Sequence, residues 1–353
     1  MHHLSISRRA LLRRSSSVVG LLAAGAFAAS RSHASESDDL IAFARKEGQV
    51  GFYTAMDLQV AQKLAQAFEA AYPGITVRLE RSGAERIFQR IAQEQASRIN
   101  SVDVVCSTNP AHFLSWKRDA LLASYVPKDA RAALPAEHVD PDGMYASVCG
   151  WLVLMGHNTD LVKPADAPKG FLDLLDPRWS GKMVKAHPAY SGGVMTATFL
   201  MIKHFGWDYL EKLARQKVLQ VQSSVDPPKK ILIGERAVMI DGTDYSIANL
   251  KEQGRPVDVI YPAEGSPLIV VPSGIFRSAP NPNAAKLFQN FLFSVEAQQL
   301  IVDVFGLRSF HRAVREKIGR PALKDIKLLA SDPAEVEAQG EQIKERYSRL
   351  FGV

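Results

Sequence analysis

Hydrophobic positions along this chain alternate between the two-residue period of strands and the longer period of helices. Ile75, Val77 and Leu79 recur at every second position, which predicts a strand. Before them, apolar positions three and four residues apart predict a helix that Asp57 caps. Residues 50–106 are therefore predicted to form a strand, helix, strand, helix, strand unit.

The same alternation continues through the rest of the chain. It predicts further strands at 150–157, 183–186, 237–240, 257–261 and 268–271. It predicts helices at 171–175, 193–204 and 227–233, then one starting near 282, and others at 296–305 and 334–350. Strands that alternate with helices are typical of an α/β fold. We expect a mostly parallel sheet with helices on both faces.

The first 34 residues follow the pattern of an export signal. Arg8-Arg9 precede an uncharged apolar run at 18–29, and Ser32-His33-Ala34 offers small residues for a signal peptidase. The run holds 12 residues, whereas a membrane-spanning helix needs about 20. We predict a removed leader of the twin-arginine type. An ordinary secretory leader stays open, and both place the mature protein in the periplasm.

Removing this leader changes the charge of the protein. Five of the 43 basic side chains are leader arginines, so 38 remain against 37 acidic ones, a formal charge of +1. A nucleic-acid-binding protein normally keeps a basic excess, so we expect no nucleic-acid partner. The remaining 319 residues exceed the size at which single cores stop growing, and two lobes are expected.

The chain holds two cysteines, Cys106 and Cys149, each within an apolar run. Cysteine often behaves as a small hydrophobic residue, so we favour two buried free thiols. A disulfide between them stays open, because an oxidising compartment permits one and connectivity cannot be deduced from sequence.

Candidate ligand residues lie where predicted strands end, because open α/β sheets bind ligands outside the carboxyl ends of their strands. Hydroxyl groups, glycines and tyrosines at these positions are suited to neutral hydrogen bonds with a polar solute. The candidates are Tyr53, Thr54, Ser82, Gly83, Ser107, Thr108, Ser191, Gly192, Gly193, Asp244 and Tyr245.

Ser191-Gly192-Gly193 is the most specific of these segments. It stands between a strand and an apolar helix, where free backbone N–H groups and the positive helix end attract anions. An ordinary serine N-cap followed by a glycine turn explains the same residues. Ser82-Gly83 repeats the pattern more weakly, with Arg81 and Arg86 able to bind a carboxylate or phosphate.

The sequence gives no clear sign of a metal site or of enzyme catalysis. Tyr245 follows Asp244 at the end of an apolar strand, where it can donate a hydrogen bond, bind a hard cation or fill the core. The histidines show no zinc-type spacing, and no nucleophile elbow, Walker loop or Cys-x-x-Cys motif is found. We therefore expect a binding protein without a cofactor rather than an enzyme.

Seven segments, taken together, resemble the periplasmic solute-binding proteins of ABC importers. The most specific is Asp173–Lys182, with the sequence DLLDPRWSGK; the others are Val50–Ala55, Phe68–Val77, Val102–Val105, Gly156–Thr159, Asn283–Phe288 and Ser294–Gln299. Within that group the chain resembles extracellular solute-binding family 1, in the branch that binds ferric ion, phosphonates, sugar phosphates, thiamine and polyamines.

This resemblance implies a type II periplasmic-binding fold, with two α/β lobes, a hinge between them and ligand in the cleft. It also implies a monomer that delivers its ligand to a membrane permease driven by a cytoplasmic ATPase. We predict lobe 1 over 35–108 and 272–325, and lobe 2 over 109–271 and 326–353.

The resemblance also assigns expected roles to residues. Ser191 and Gly192 fall where ferric binders hold an anion or phosphate, and Tyr53 and Thr54 fall in the first ligand loop. Tyr245 falls where ferric binders place adjacent tyrosines, but position 244 is aspartate. We therefore expect a small anionic solute with a phosphate, phosphonate or carboxylate group. Ferric iron held by Asp244 and Tyr245 is the alternative, and an exported hydrolase or transferase is a more remote one.

Overall fold

A computed structural model describes residues 38–353 of the chain. The predicted leader, residues 1–34, lies outside this range and stays a prediction. Within the described range, no helix combines the length and the apolar character that crossing a bilayer requires.

The described part of the chain is a mixed α/β structure. Its strands are β1 (Gln49–Thr54), β2 (Thr76–Arg81), β3 (Val104–Cys106), β4 (Tyr145–Asn158), β5 (Met183–Ala186), β6 (Leu219–Val221), β7 (Val238–Thr243), β8 (Val257–Ile260), β9 (Ser266–Ile275) and β10 (Leu328–Leu329). Its helices are α1 (38–47), α2 (Leu58–Ala71), α3 (Ala84–Ala96), α4 (Ala111–Arg118), α5 (Lys128–Ala133), α6 (Gly192–Ala214), α7 (Asp226–Leu232), α8 (Asp244–Glu252), α9 (Pro282–Leu292), α10 (Val295–Phe305) and α11 (Pro333–Phe351).

The strands form one sheet in the order β2-β1-β3-β9-β4-β7-β5-β6, with β10 added on β9 and β8 on β4. The prediction of a mostly parallel sheet is correct at both ends, where β1 runs parallel to β2 and β3, and β5 runs parallel to β6 and β7. It is wrong in the middle, because β3, β9, β4 and β7 pair antiparallel in turn. The 14 residues of β4 pair with both β9 and β7 and so connect the two ends.

Helix α2 shows how local sequence sets an element. Asp57 caps it as predicted, since its Oδ1 accepts a hydrogen bond from the Gln59 backbone N–H at 2.9 Å. The buried face of α2 includes Leu64 and Phe68, and the Phe68 ring meets Phe288 of α9 edge to face at 4.9 Å. This packing covers the sheet end formed by β1, β2 and β3.

Several helices depart from the prediction: α1, α4 and α5 were not predicted, and α6 and α8 differ from what was expected. Helix α6 continues ten residues beyond the expected end at 204, across a non-helical Gly206 with φ of 74°. Helix α8 was not predicted, because Asp244 and Tyr245 were interpreted as a loop after the strand. Its short sequence is largely polar, and it is held by the burial of Tyr245 and Ile247.

Helix α11 contacts elements from both ends of the sheet. Its Tyr347 is fully buried in an apolar cluster with Phe171 and Tyr209. On another side, Glu337 accepts hydrogen bonds from Ser115 and Arg118 of α4. The predicted lobe boundaries stay a prediction.

Helix α4 bears on one of those boundaries. Its Phe113 and Trp116 share an apolar cluster with Tyr53, Val105 and Phe276. The predicted boundary at residue 109 puts Phe113 and Trp116 in lobe 2, whereas the other three residues belong to predicted lobe 1. This packing favours a boundary that lies later in the chain.

Candidate functional site

The carboxyl ends of six strands open onto one cavity, which we call the cleft. Strands β1, β2 and β3 reach it from one end of the sheet, and β5, β6 and β7 reach it from the other. The cavity has a volume of about 90 Å³. It is lined by Ala55, Met56, Asp57, Val60, Arg81, Gly83, Ala84, Arg86, Thr108, Cys149, Trp151, Tyr190, Ser191, Gln222, Ser223, Ser224, Val225, Tyr245, Val271 and Leu307.

Five of the predicted site residues line this cleft together: Gly83, Arg86, Thr108, Ser191 and Tyr245. They lie between positions 83 and 245 of the chain, in loops and in the first turns of helices that the two sheet ends bring to one place. Arg81, which the sequence singled out beside Ser82-Gly83, also lines the cleft.

Ser191 is the N-cap of α6 and directs that helix terminus at the cleft. Its backbone is extended, with φ of −124° and ψ of 116°, and its Oγ accepts a long 3.5 Å hydrogen bond from the Val194 N–H. The first N–H groups of a helix have no acceptor within the helix, and the helix dipole places partial positive charge there. Ser191 and this terminus can therefore hold an anionic group.

The two glycines after Ser191 lie outside the cleft lining and serve close packing. A Cβ on Gly192 would lie 2.5 Å from Cβ of Asn109, and one on Gly193 would overlap the Trp151 ring. Such overlaps do not occur in well-packed interiors. Glycine is thus required here so that α6 can approach β4 and the loop after β3.

Two arginines on neighbouring elements supply positive charge. Arg81 at the end of β2 donates through Nε to the Met56 carbonyl oxygen at 3.0 Å. Arg86 in the first turn of α3 lies over the Tyr190 ring at 5.5 Å and is 3.5 Å from Gln222 Oε1. Each guanidinium keeps further donors for a ligand.

Several predicted residues lie close to the cleft without lining it. Tyr53 points to the opposite face of the sheet, because side chains alternate along a strand, and its hydroxyl donates to Glu94 at 2.8 Å. Thr54 is fully buried, and its Oγ1 accepts from the Met56 N–H. Ser82 donates its backbone N–H to the Thr54 carbonyl oxygen. These residues shape the first loop rather than facing a ligand.

Ser107 is also buried behind the cleft. Its Oγ accepts a hydrogen bond from the Asn109 N–H and lies 3.2 Å from Nδ1 of His112. Its neighbour Thr108 is the member of this loop that faces the cavity.

Asp244 is engaged inside the protein. Its carboxylate accepts from the Leu152 N–H at 3.0 Å and pairs with Arg308 Nε at 3.3 Å. Burial raises the pKa of Asp244, and the charge of Arg308 opposes that rise. Asp244 therefore does not face the cleft with Tyr245, as the ferric-iron alternative requires.

Tyr245 does reach the cleft, with its ring at right angles to Trp151 and 6.4 Å away. Burial, followed by the charge of Asp57, raises its pKa far above the ordinary value for tyrosine, so it presents a neutral phenol. Among residues 38–353, no group of three or more His, Cys, Asp and Glu side chains is placed to hold a metal ion.

Several other residues that line the cleft were not identified from the sequence. Ser223 and Ser224 follow β6, a strand of three residues that was too short to predict. Tyr190 directly precedes Ser191, and Asp57 was noticed as a helix cap. For Asp57, its place three residues after the end of β1 was the signal that could have identified it.

Two proteins are similar to this chain in sequence. A Haemophilus influenzae protein described as uncharacterized is 29% identical over 139 residues, 38% of this chain and 40% of its own length. A Sinorhizobium fredii protein described as a probable ABC transporter periplasmic-binding protein is 22% identical over 78% of this chain and 75% of its own length.

Solved structures show the fold more fully. The periplasmic binding protein AfuA from Actinobacillus pleuropneumoniae, with fructose-6-phosphate bound, superposes with a TM-score of 0.78. It is 21% identical, over 87% of this chain and 99% of AfuA. Iron-bound HitA from Pseudomonas aeruginosa has a TM-score of 0.74 at 20% identity, over 86% of this chain and 99% of HitA. The predicted type II two-lobed fold is confirmed.

Residues 100–328 match the model of a family described as bacterial extracellular solute-binding protein. The matched segment is more than half of the chain, and it includes β4, β5, β7 and the N-cap of α6. It also includes the DLLDPRWSGK segment on which the sequence resemblance rests most. The chain belongs to the bacterial extracellular solute-binding protein family.

Proposed function

We propose that this protein is the solute-binding component of an ABC importer. It captures a small solute with a phosphate, phosphonate or carboxylate group in the periplasm and, as a monomer, delivers it to a membrane permease. Family membership and the description of the Sinorhizobium fredii relative support the transport role. The predicted leader supports the location.

The charge of the cleft carries the choice of an anion. Arg81, Arg86 and the N-terminus of α6 face one small cavity, and each supplies N–H donors. Arg81 is half-buried and Arg86 is exposed at the rim of the cavity, and the free N–H groups of both can form charge-assisted hydrogen bonds to an anionic ligand. The hydroxyl groups of Thr108, Ser223 and Ser224 line the same cavity and can donate further hydrogen bonds to the ligand.

The two ends of the sheet meet around the cleft, which suits capture by closure. Gly83 at the start of α3 packs on the Tyr190 carbonyl oxygen, and Arg86 reaches Gln222. A ligand between these loops holds both sides together, in the hinge motion that periplasmic binding proteins use.

A thermal-shift screen of the exported protein tests the proposal with phosphate, phosphonates, sugar phosphates, dicarboxylates and thiamine. A ligand at about a hundredfold over its Kd adds about 2.7 kcal/mol to the free energy of unfolding. Arg86→Gln should abolish the shift, whereas Arg349→Gln, an exposed residue at the end of α11, should not. Steady turnover of a bound compound would favour the hydrolase or transferase alternative instead.

Ferric iron is the second candidate, and one observation favours it. Tyr190, Tyr245 and Asp57 line the same cleft, and hard cations prefer such oxygen ligands. The two arginines then require a bound anion beside the metal. Ferric citrate should produce a visible tyrosinate absorption band that Tyr245→Phe removes; a colourless mixture would leave the anion as ligand.

A further inference from the structure

The cleft contains a negative charge as well as its two positive ones. Asp57 lines the cavity at the N-terminus of α2, opposite in sign to Arg81 and Arg86. Its Oδ1 accepts from the Gln59 N–H. Among residues 38–353, none of these three side chains has an oppositely charged partner within 4.0 Å.

The positive and negative groups have different neighbours. Arg86 lies over the ring of Tyr190, and Tyr190 directly precedes Ser191 in the chain. Asp57 instead acts on Tyr245, whose pKa its charge helps to raise, and Tyr245 packs on Trp151. Asp57, Trp151 and Tyr245 all line the cleft, and a carboxylate and aromatic rings that share one cavity can bind an ammonium group through an ion pair and cation–π attraction.

Both signs of charge act on the same small cavity. Asp57, Arg81 and Arg86 all line it, and its volume is about 90 Å³. A small solute bound there can therefore meet a positive and a negative group at once.

We propose that the solute is zwitterionic, with its anionic group bound by Arg86 and Ser191 and an ammonium group bound by Asp57. This inference rests on the proposed function and specifies its substrate class. Closure removes water from Asp57, and an unpaired buried carboxylate is unfavourable, so the ligand that supplies a cation binds better than one that does not. Arg81 stays available to the anionic group.

Three pairs of compounds that differ by one amine test this class. They are 2-aminoethylphosphonate against ethylphosphonate, O-phosphoethanolamine against ethyl phosphate, and β-alanine against propionate. In calorimetric titrations of the exported protein, we expect the amine-bearing member of at least one pair to bind about tenfold tighter or more, the effect of one charge-assisted hydrogen bond. Asp57→Asn should reduce that ratio to near one, and asparagine still caps α2.

A matched control comes from α11. Asp332 also caps a helix, accepting from the Ala334 N–H, but lies outside the cleft, so Asp332→Asn should leave the ratio unchanged. Equal or tighter binding of the amine-free members would overturn the zwitterion while leaving the proposed function standing. An amine preference that persists in Asp57→Asn would overturn the role of Asp57. Binding of no member of any pair would also overturn the zwitterion, and the thermal-shift screen with the wider set of anions then tests the proposed function separately.

Discussion

Lys344 of α11 donates a 2.6 Å hydrogen bond to Oε2 of Glu85 on α3, joining residues 259 positions apart. The other carboxylate oxygen of Glu85 lies 3.1 Å from Nε2 of His112 and accepts from Asn109 Nδ2 at 3.0 Å. Asn109 in turn packs against Gly192 at the start of α6. A buried polar network therefore ties the C-terminal helix to the loops behind the cleft.

We expect Lys344→Met to destabilise the protein by about 1–3 kcal/mol. Glu85 is 6% exposed, so removing the Lys344 ammonium group leaves a buried charge with too few partners. Urea unfolding measures the change, with Lys212→Met as control, because the exposed Lys212–Asp208 pair should contribute less than about 1 kcal/mol. Equal effects of the two variants would contradict a stabilising role for the network.

The same network predicts how stability depends on pH. Burial by itself raises the pKa of Glu85, but the hydrogen bonds and charges of His112 and Lys344 outweigh it and lower that pKa from 4.5 to about 2. A carboxyl group with a lowered folded pKa contributes stability that is complete above its unfolded pKa and is lost as pH falls.

We therefore expect the advantage of the wild type over Glu85→Gln to shrink from about pH 4.5 down to about pH 2. Unfolding free energies measured for both proteins from neutral pH into this range check the trend. Two curves that stay parallel across it would show that Glu85 titrates normally.

Breaking a buried ion pair in the second half of the sheet should destabilise the protein more than Lys344→Met does. Nζ of Lys185 lies 2.7 Å from Oδ2 of Asp241, and both side chains are almost fully buried. Lys185→Met should cost about 3–5 kcal/mol, because it strands the Asp241 carboxylate in the core. Adding Asp241→Asn should recover part of the loss, since its Oδ1 still accepts from the Ala186 N–H. Thermal unfolding of the wild type, the single variant and the double variant measures both the loss and the recovery of stability.

Gly83 should control closure of the cleft. A Cβ there would overlap the Tyr190 carbonyl oxygen and hold the two loops apart, although the backbone φ of −62° suits alanine. We expect Gly83→Ala to weaken ligand binding about tenfold or more in titrations.

Gly340→Ala in α11 is the matched control for Gly83→Ala. Open space surrounds its Cβ position, so this variant should bind normally and gain about 0.5–1 kcal/mol of helix stability. Unchanged binding by both variants would exclude a role for this contact.

Both cysteines are free and buried, which confirms the predicted burial. Burial raises the pKa of Cys106 to about 12 and that of Cys149 further, so neither forms a thiolate at neutral pH. We expect no reaction of the native protein with a thiol reagent near neutral pH and reaction of both groups after denaturation. Rapid labelling of one thiol in the folded protein would show that the cleft opens to expose Cys149.

Local sequence determined much of the architecture. The cap at Asp57 and the strand at 183–186 were predicted, and a serine cap at Ser191 was one of two interpretations left open, because hydrogen bonding and side-chain period act within a few residues. The DLLDPRWSGK segment and its companions indicated the family for the same reason: they are contiguous stretches. The candidate loops followed from the rule that ligands bind at strand ends.

Tertiary structure decided which of those residues share the cleft. Tyr53 and Thr54 stand at the predicted strand end, yet strand alternation and a local hydrogen bond turn both away from the cavity. Asp57, Tyr190 and Ser224 lie close together only because antiparallel β4 and β9 connect the two ends of the sheet. Pairing across such sequence distances depends on packing of the whole chain, which no local pattern records.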